Sequence, residues 1–359
     1  MTALVGVPII VGAIWFGPPW LTVVVVAAAV IGVREAYRLY PPAAPPVAPP
    51  DDGEFHDGAS PTRLPILLGG TWAVALVLAG ELAGQTRDFV LAAAVICVVG
   101  CIIAGLWMIA AWHGRRPIVA ALYLVAAPVY IGGALACAVA LRAIIGDDIP
   151  LPTDTISEAG SQWLLPTIDG NELSGGNGLS DGLAITAPVV APDQPQVGVN
   201  GVWLLPRLVG GEFAATVANL SQAGCWWLLL GILTVYATDT GAYTVGRLFG
   251  RHPMAPSISP GKNWEGAAGG MAGAVIAAVA LGVLFPLQLD IWQLVGIGVM
   301  LGVISPVGDL FESKIKRLAD VKDSGNLFPG HGGMLDRLDS LLPSLTVVYI
   351  LAAVFAATS

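Results

Sequence analysis

The feature that most constrains this chain is a series of apolar segments, each near the length that crosses a lipid bilayer. A spanning helix needs about 20 mostly apolar residues. Nine segments qualify as candidates: residues 3–17, 20–33, 65–84, 89–112, 118–144, 223–243, 266–287, 289–308 and 341–357. Only 11% of the 359 residues are charged, whereas soluble domains carry about 25%. The sequence therefore predicts an all-α polytopic membrane protein with about nine transmembrane helices.

Basic residues predict the orientation of these helices. Lys and Arg are enriched in cytoplasmic connections, and the bases of this chain fall on one side of the predicted spans. These bases are Arg34, Arg38, Arg115, Arg116, Arg247, Arg251, Lys314, Lys316 and Arg317. The pattern predicts a cytoplasmic N-terminus and an external C-terminus.

The chain divides into three parts. Residues 1–144 hold the N-terminal transmembrane helices, with a Pro-rich cytoplasmic linker at 41–64. Residues 145–222 form an external loop rich in Gly, Pro and acids, which we interpret as a solvated spacer. Its nine acids and single base account for nearly all of the chain's net charge of −9. Residues 223–359 are the C-terminal transmembrane domain, where the polar residues gather at cytoplasmic helix ends.

The first polar cluster is the segment from Asp239 to Tyr243. No charged residue occurs between Phe213 and Thr238, and Asp239 then appears near the cytoplasmic end of the sixth predicted span. A carboxylate within a membrane costs about 2.5–3.5 kcal/mol on insertion scales, so it needs a partner or a function. Pairing with Arg247 is one interpretation, and binding a metal ion or a substrate is the other.

The second cluster is the loop at 257–266, just before the seventh span. Ser259 and Asn263 offer neutral hydrogen bonds, and the Lys262 ammonium suits a phosphate. Trp264 fits two roles, an anchor at the membrane interface or a platform on which a base stacks. Glu265 suits the start of a helix, where the helix dipole favours an acid.

The third cluster, residues 305–340, is the densest. Asp309, Glu312, Ser313 and Lys316 have helical spacing and can share one face. Asp336 and Asp339, at i and i+3, also share a face, and paired carboxylates with oxygen ligands suit a hard cation such as Mg²⁺. An amphipathic helix on anionic headgroups is the alternative. It explains the bases but not the acids at the membrane edge.

These residues resemble a known family. The pattern Ser313-x-Ile-Lys-Arg-x4-Lys-Asp-x-Gly-x2-Phe-Pro-x-His-Gly-Gly-Met-x-Asp-Arg-Leu-Asp339 is similar to the signature of the phosphatidate cytidylyltransferases, also called CDP-diacylglycerol synthases. The segments 239–247 and 259–266 resemble the same family. The sequence departs from it at Gly261 and Asn263, where the family pattern has Lys and Thr or Ser. The close resemblance covers about residues 223–357.

The resemblance implies a reaction in which CTP and phosphatidate give CDP-diacylglycerol and pyrophosphate. It also implies a divalent metal, an all-helical membrane fold and homodimers. The paired carboxylates favour Mg²⁺ as that cofactor, and the basic residues predict a multi-pass protein of the cell membrane whose active site faces the cytoplasm. We expect no nucleic-acid partner. Such an enzyme works by positioning and electrostatics, because the attacking phosphate is already anionic near pH 7.

Site residues follow from the clusters and the resemblance together. We predict metal ligands at Asp309, Asp336, Asp339 and Asp239, and for Asp239 two roles stay open: a second cation, or orientation of Lys262. The predicted catalytic residues are Asp309, Asp336, Lys322, Asp323 and His331. The predicted substrate-binding residues are Ser259, Lys262, Asn263, Trp264, Lys316, Arg317, Gly332, Gly333 and Arg337. Among these, Lys316, Arg317, Lys322 and Arg337 are candidate phosphate clamps.

Two groups of alternatives remain at this stage. A CDP-archaeol synthase would perform the same chemistry on an ether lipid, and a polyprenol or dolichol kinase would release a nucleoside diphosphate instead of pyrophosphate. An ion-coupled transporter would place acids near the bilayer midplane and show matching halves. Here the charges cluster at one face, and the sequence contains no matching halves.

Overall fold

The computed structural model describes residues 19–40, 64–83, 85–112, 117–143, 223–285, 289–328 and 332–358, together with residues 10, 12–14, 17, 287 and 330. The described helices are α1 Trp20–Arg38, α2 Ile66–Leu82, α3 Thr86–Ala111, α4 Pro117–Ala127, α5 Gly133–Ala143, α6 Ala223–Phe249, α7 Trp264–Leu284, α8 Ile291–Leu318, α9 Leu335–Leu338 and α10 Leu341–Thr358. A two-stranded antiparallel hairpin, β1 Pro253–Ala255 and β2 Ser259–Asn263, lies between α6 and α7.

The prediction of a multi-pass helical membrane protein is confirmed. Within the described ranges, six helical segments are long and apolar enough to cross a membrane, and two shorter apolar helices, Ile66–Leu82 and Leu341–Ala356, accompany them. The predicted span at 3–17 lies mostly outside the described residues, as do residues 41–63 of the linker and the loop at 145–222. The total of nine spans and the orientation of the termini therefore stay predictions.

Two helices extend well past their predicted cytoplasmic ends. The predicted apolar spans end at 243 and 308, but α6 continues to Phe249 and α8 to Leu318. For α8 this agrees with the helical spacing predicted for Asp309, Glu312, Ser313 and Lys316. Hydropathy marks where a helix leaves the apolar layer, whereas backbone hydrogen bonding continues into water until a cap or a breaker stops it. The polar residues of the C-terminal domain therefore lie on rigid helix rather than on loops.

The span predicted at 118–144 contains one irregularity. A π-helical turn, Pro128–Gly132, joins α4 to α5, so that Pro117–Arg142 forms one continuous apolar segment. Proline has no backbone N–H and disturbs the regular ladder, which explains why the turn begins there.

The buried core lies where α1, α2, α5, α6 and α10 meet. Ala29, Leu76, Ala136, Trp227 and Leu342, one from each of these helices, are at most 1% exposed. Helix association in a membrane depends on close packing rather than on the hydrophobic effect. The core therefore connects α1 to the C-terminal domain through α5, which packs against α1, α2, α6 and α10.

Small residues bring the C-terminal half of α6 into close contact with the start of α7. A Cβ atom at Gly241 would lie 2.6 Å from the carbonyl oxygen of Gly269, which is closer than real carbon and oxygen atoms approach. The two backbones can adopt this separation only because both positions lack a side chain. The contact places Asp239 beside the hairpin that precedes α7.

The hairpin is fixed at its base. Glu265 Oε2 accepts hydrogen bonds from the backbone N–H groups of Arg251, at 3.1 Å, and His252, at 3.2 Å. Asn263 caps α7, since its Oδ1 accepts from the N–H of Gly266 at 2.7 Å and its Nδ2 donates to the Gly246 carbonyl at 3.1 Å. These bonds make the segment predicted as a loop a defined hairpin with Lys262 on its second strand.

The turn of the hairpin is held by a different element. Arg317 Nε, near the end of α8, donates to the carbonyl oxygen of Ile258 at 3.2 Å. The hairpin therefore lies between α6, α7 and the C-terminal end of α8, and cannot move far without breaking bonds at both its base and its turn.

Candidate active site

A polar cavity of about 490 Å³ lies at the cytoplasmic ends predicted for α6 and α8. Four elements surround it: α6, the hairpin with the start of α7, α8, and the chain that follows α9. Its lining residues include Thr238, Asp239, Tyr243, Gly246, Arg247, Lys262, Asn263, Pro306, Asp309, Asp339 and Ser340. The structure thus brings together residues from all three polar clusters of the sequence.

Three carboxylates line this cavity, and each comes from a different element. Asp239 is on α6, Asp309 is on α8, and Asp339 follows α9 directly. Lys262 Nζ lies 2.6 Å from Asp309 Oδ2, and Ser313 Oγ donates to Asp309 Oδ1 at 3.2 Å. Lys262 and Arg247 bring two positive charges to a cavity with three carboxylates, which leaves an excess of negative charge that a cation would relieve.

The environment of Asp339 reflects that excess. Burial, followed by the negative charge of Asp309, raises the pKa of Asp339 to about 7, although the backbone N–H of Ser340 donates to its Oδ1 at 2.7 Å. A carboxyl group with such a pKa gives up its proton readily when a cation arrives.

The donor set suits Mg²⁺. In the part of the chain that the structure describes, no three acidic, histidine or cysteine side chains are close enough to bind one metal ion. Mg²⁺, however, is usually held by one or two carboxylates and completes its octahedron with waters and substrate phosphates. Carboxylates at 239, 309 and 339 around one water-accessible cavity are compatible with that mode of binding.

Asp336 lies in a different environment from the one we expected. Its Oδ1 accepts from Lys316 Nζ at 2.5 Å, and its Oδ2 accepts from the N–H groups of Ser324 and Gly333, each at 2.8 Å, and from Ser324 Oγ at 2.9 Å. Lys316 also lies 3.1 Å from Glu312. Asp336 is not among the lining residues of the cavity, and both of its carboxylate oxygens already have protein partners. Its role as a metal ligand therefore stays a prediction.

The pKa of Asp336 agrees with this description. Burial alone would raise it, but the hydrogen bond from Lys316 and those from Gly333 and Ser324 outweigh burial and hold the pKa below its usual value. Asp336 is therefore an ionised carboxylate that organises its surroundings.

One residue that the sequence analysis missed completes this region. Glu35, on α1, is 4% exposed, and its carboxylate accepts from Ser324 Oγ at 3.0 Å and from the N–H groups of Met334, at 3.1 Å, and Leu335, at 2.9 Å. The available signal was a lone acid at the predicted cytoplasmic end of an apolar span, the same kind of signal that identified Asp239.

The predicted substrate-binding residues on the hairpin have different surroundings. Lys262 and Asn263 line the cavity, whereas Ser259, at the start of β2, does not. Trp264 is 61% exposed at the first position of α7, which is compatible with both of its predicted roles. Arg247, the partner considered for Asp239, instead donates to the Tyr243 hydroxyl at 2.6 Å.

The predicted phosphate clamps lie outside the cavity lining. Lys322 and Arg337 are exposed, and Lys316 is buried between two carboxylates. Asp323, a predicted catalytic residue, is also exposed and does not line the cavity. Arg317 donates to two backbone carbonyls. Their substrate contacts stay predictions.

The glycine-rich turn is described only in part. Gly332 has a φ of +79°, which favours glycine, and its carbonyl accepts from the N–H of Phe328 at 3.0 Å. Gly333 is buried and donates to Asp336, so its amide is already occupied. His331, a predicted catalytic residue, lies outside the described residues.

Comparisons with known proteins converge on one group. A family model described as the cytidylyltransferase family matches residues 1–355. A phosphatidate cytidylyltransferase of Bacillus subtilis is 41% identical over 140 residues, 39% of this chain and 52% of that protein. Proteins of the same name from Staphylococcus haemolyticus and Mycobacterium tuberculosis H37Rv are 43% identical over 145 residues and 42% identical over 129 residues. The match to the Staphylococcus protein covers 40% of this chain and 55% of that protein. The match to the Mycobacterium protein covers 36% of this chain and 39% of that protein. The chain thus spans about half the length of these relatives, or less.

Proposed function

The chain belongs to the cytidylyltransferase family, and from that premise we propose that it transfers the cytidylyl group of CTP to phosphatidate, giving CDP-diacylglycerol and pyrophosphate. The relatives at 41–43% identity carry the name of this activity. The observation that supports it best is the cavity in which Asp239, Asp309, Asp339 and Lys262 meet, because oxygen ligands for a cation and a positive charge for phosphate occur there together.

The reaction is a displacement at phosphorus. A phosphate oxygen of phosphatidate forms a bond to the α-phosphorus of CTP. The bond from that phosphorus to the oxygen bridging the α- and β-phosphates breaks, and the bridging oxygen leaves with its electron pair as part of pyrophosphate. The attacking phosphate is anionic near pH 7, so the site needs no strong general base, and positioning and charge compensation carry the rate.

The residues of the cavity have separate tasks in this proposal. Asp239, Asp309 and Asp339 would offer the carboxylate ligands for Mg²⁺, one or two of them to the same ion, with waters and substrate phosphates completing its coordination. When bound, Mg²⁺ would offset negative charge on the phosphates. Lys262 balances Asp309 in the resting site and supplies a point charge to the triphosphate. Arg247 and Tyr243, hydrogen-bonded to each other at the cavity, provide a further cationic contact for a phosphate.

The membrane setting supplies the second substrate. The apolar helices and the basic residues at their predicted cytoplasmic ends support a multi-pass protein of the cell membrane with its site facing the cytoplasm. The phosphate of phosphatidate then reaches the cavity from the inner leaflet, while the acyl chains stay in the bilayer. We propose a homodimer, as the family resemblance implies.

The test is a product assay with the purified protein in detergent or liposomes. With CTP, phosphatidate and Mg²⁺ we expect one CDP-linked lipid for each pyrophosphate released. Asp309→Asn should abolish both products, whereas Asp320→Asn, at an exposed position with a φ of +55° that asparagine tolerates, should leave both intact. Release of a nucleoside diphosphate would indicate a kinase, and an Asp309→Asn variant with normal turnover would refute the proposed site.

A further inference from the structure

The carboxylate of Glu35 connects the N-terminal helix α1 to the chain that leads into the active site. Its Oε2 accepts from Ser324 Oγ at 3.0 Å and from the Leu335 N–H at 2.9 Å, and its Oε1 accepts from the Met334 N–H at 3.1 Å. These partners lie about 300 positions away in the chain. Such a buried carboxylate is stable only while its donors stay in place.

Two glycines permit this approach. A Cβ atom at Gly325 would lie 2.6 Å from Glu35 Oε1, and one at Gly333 would collide with the other oxygen of the same carboxylate. The chain at Ser324–Gly325 and at Gly333–Leu335 therefore fits closely around Glu35.

The serine between the two acids adds a constraint. Ser324 Oγ lies 3.0 Å from Glu35 and 2.9 Å from Asp336, but a hydroxyl has one proton to donate. Glu35 and Asp336 each keep two backbone N–H donors besides it. The backbone bonds, rather than the serine hydroxyl, therefore provide most of the attachment.

The attachment acts on Asp339 through a short rigid element. Met334 and Leu335 open α9, a single turn that ends at Leu338, and Asp339 follows it and lines the cavity. Since Glu35 fixes the first residues of that turn, the direction in which Asp339 enters the cavity depends on a residue of α1. Tyr37, also on α1, fixes that helix in turn, because its hydroxyl donates to the Leu124 carbonyl at 2.8 Å.

From this geometry we propose that Glu35 is a positioning residue, which holds the start of α9 so that Asp339 faces the cation and nucleotide of the cavity. The inference rests on the proposed function for the role of Asp339. It gives the N-terminal part of the chain a task in the reaction, although that part contributes no lining residue among those described for the cavity.

The test compares Glu35→Gln with Glu81→Gln, the same change on α2. Glutamine keeps one acceptor and turns the other into a donor, so it opposes one of the two backbone N–H groups. In hydrogen–deuterium exchange we expect the peptide covering 333–338 to exchange at least tenfold faster in Glu35→Gln. In Mn²⁺ titrations, at a temperature where both variants are folded, we expect at least tenfold weaker binding in Glu35→Gln only.

A purely structural role would lower the unfolding temperature but leave Mn²⁺ affinity unchanged in the folded protein, and that result would overturn the proposal. If Glu35→Gln does not fold, Glu35→Asp provides the test. It keeps the negative charge but shortens the side chain by one methylene, which withdraws the carboxylate from the N–H groups of Met334 and Leu335. We expect about threefold weaker Mn²⁺ binding, while an unchanged affinity would again overturn the proposal. A wild-type protein that makes no CDP-linked lipid would refute the proposed function instead.

Discussion

Replacing Asp336 with asparagine distinguishes a structural carboxylate from a metal ligand. The side chain keeps its shape but retains one carbonyl oxygen. If that oxygen faces the N–H groups of Ser324 and Gly333, the new amide donor faces the ammonium of Lys316. If it faces Lys316, the amide donor opposes two buried N–H groups that had bonds of 2.8 Å.

Both orientations of the asparagine lower the free energy of unfolding by a similar amount. Breaking a buried ion pair by removing one partner costs about 3–5 kcal/mol, and Lys316 keeps Glu312 at 3.1 Å, so we take the lower end. Leaving two buried N–H groups without acceptors costs about 1–3 kcal/mol each. We therefore expect the free energy of unfolding to fall by about 3 kcal/mol.

Chemical unfolding in detergent measures this loss, and a double-mutant cycle with Lys316→Met assigns it. The cycle should give a coupling energy of about 2 kcal/mol, since the two side chains are in direct contact. The low pKa of Asp336 means that its contribution is present at pH 7 and is lost as pH falls below the ordinary aspartate range. A loss under 1 kcal/mol with no coupling would refute this reasoning and favour the metal role.

Three further predictions concern the cavity and its walls. Lys262→Met should raise the KM for CTP at least tenfold in steady-state assays. It should also tighten Mn²⁺ binding without nucleotide, because the ammonium 2.6 Å from Asp309 competes with the cation; weaker binding would contradict this. Mn²⁺ affinity should fall up to tenfold per pH unit below about 7, because protons compete for Asp339, and a flat profile between pH 5.5 and 8 would contradict it. Gly241→Ala should lower stability by about 1–3 kcal/mol in thermal unfolding, because its Cβ would meet an α7 carbonyl at 2.6 Å. Gly296→Ala, with open space around it, is the control, and equal effects would refute the packing argument.

The sequence predicted the helical membrane architecture because hydropathy directly reports the solvent of each segment. It also identified Asp239 and Asp309, two of the acids that the cavity brings together. A carboxylate at a membrane edge raises the free energy of the folded protein unless it has a partner or a function. The family resemblance covered the C-terminal part, where the pattern from Ser313 to Asp339 is dense in chemically specific residues.

The sequence could not predict which acids line the cavity and which form structural ion pairs. Asp336 and Asp339 share one helical turn, and nothing in their spacing indicates that one binds Lys316 while the other lines the cavity. The role of Glu35 could not be predicted for a related reason. Its partners lie about 300 residues away, and long-range contacts of this kind depend on how helices pack rather than on any local pattern.

The extension of α6 to Phe249 was missed. Helix ends in water are set by caps and backbone geometry, which hydropathy does not report. The helical spacing of Asp309, Glu312, Ser313 and Lys316, by contrast, did predict that α8 continues past 308, and Asp309 and Lys316 lie on the same rigid helix.

Mn²⁺ binding, followed by electron paramagnetic resonance, tests the central claim most directly, since Mn²⁺ accepts the same oxygen ligands as Mg²⁺. The account predicts that the wild-type protein with CTP binds Mn²⁺ in a form that Mg²⁺ displaces. Asp309→Asn should weaken that binding at least tenfold, and Asp320→Asn should leave it unchanged. Equal Mn²⁺ affinity in the wild type and in a folded Asp309→Asn variant would contradict the claim that the carboxylates of this cavity hold the cation.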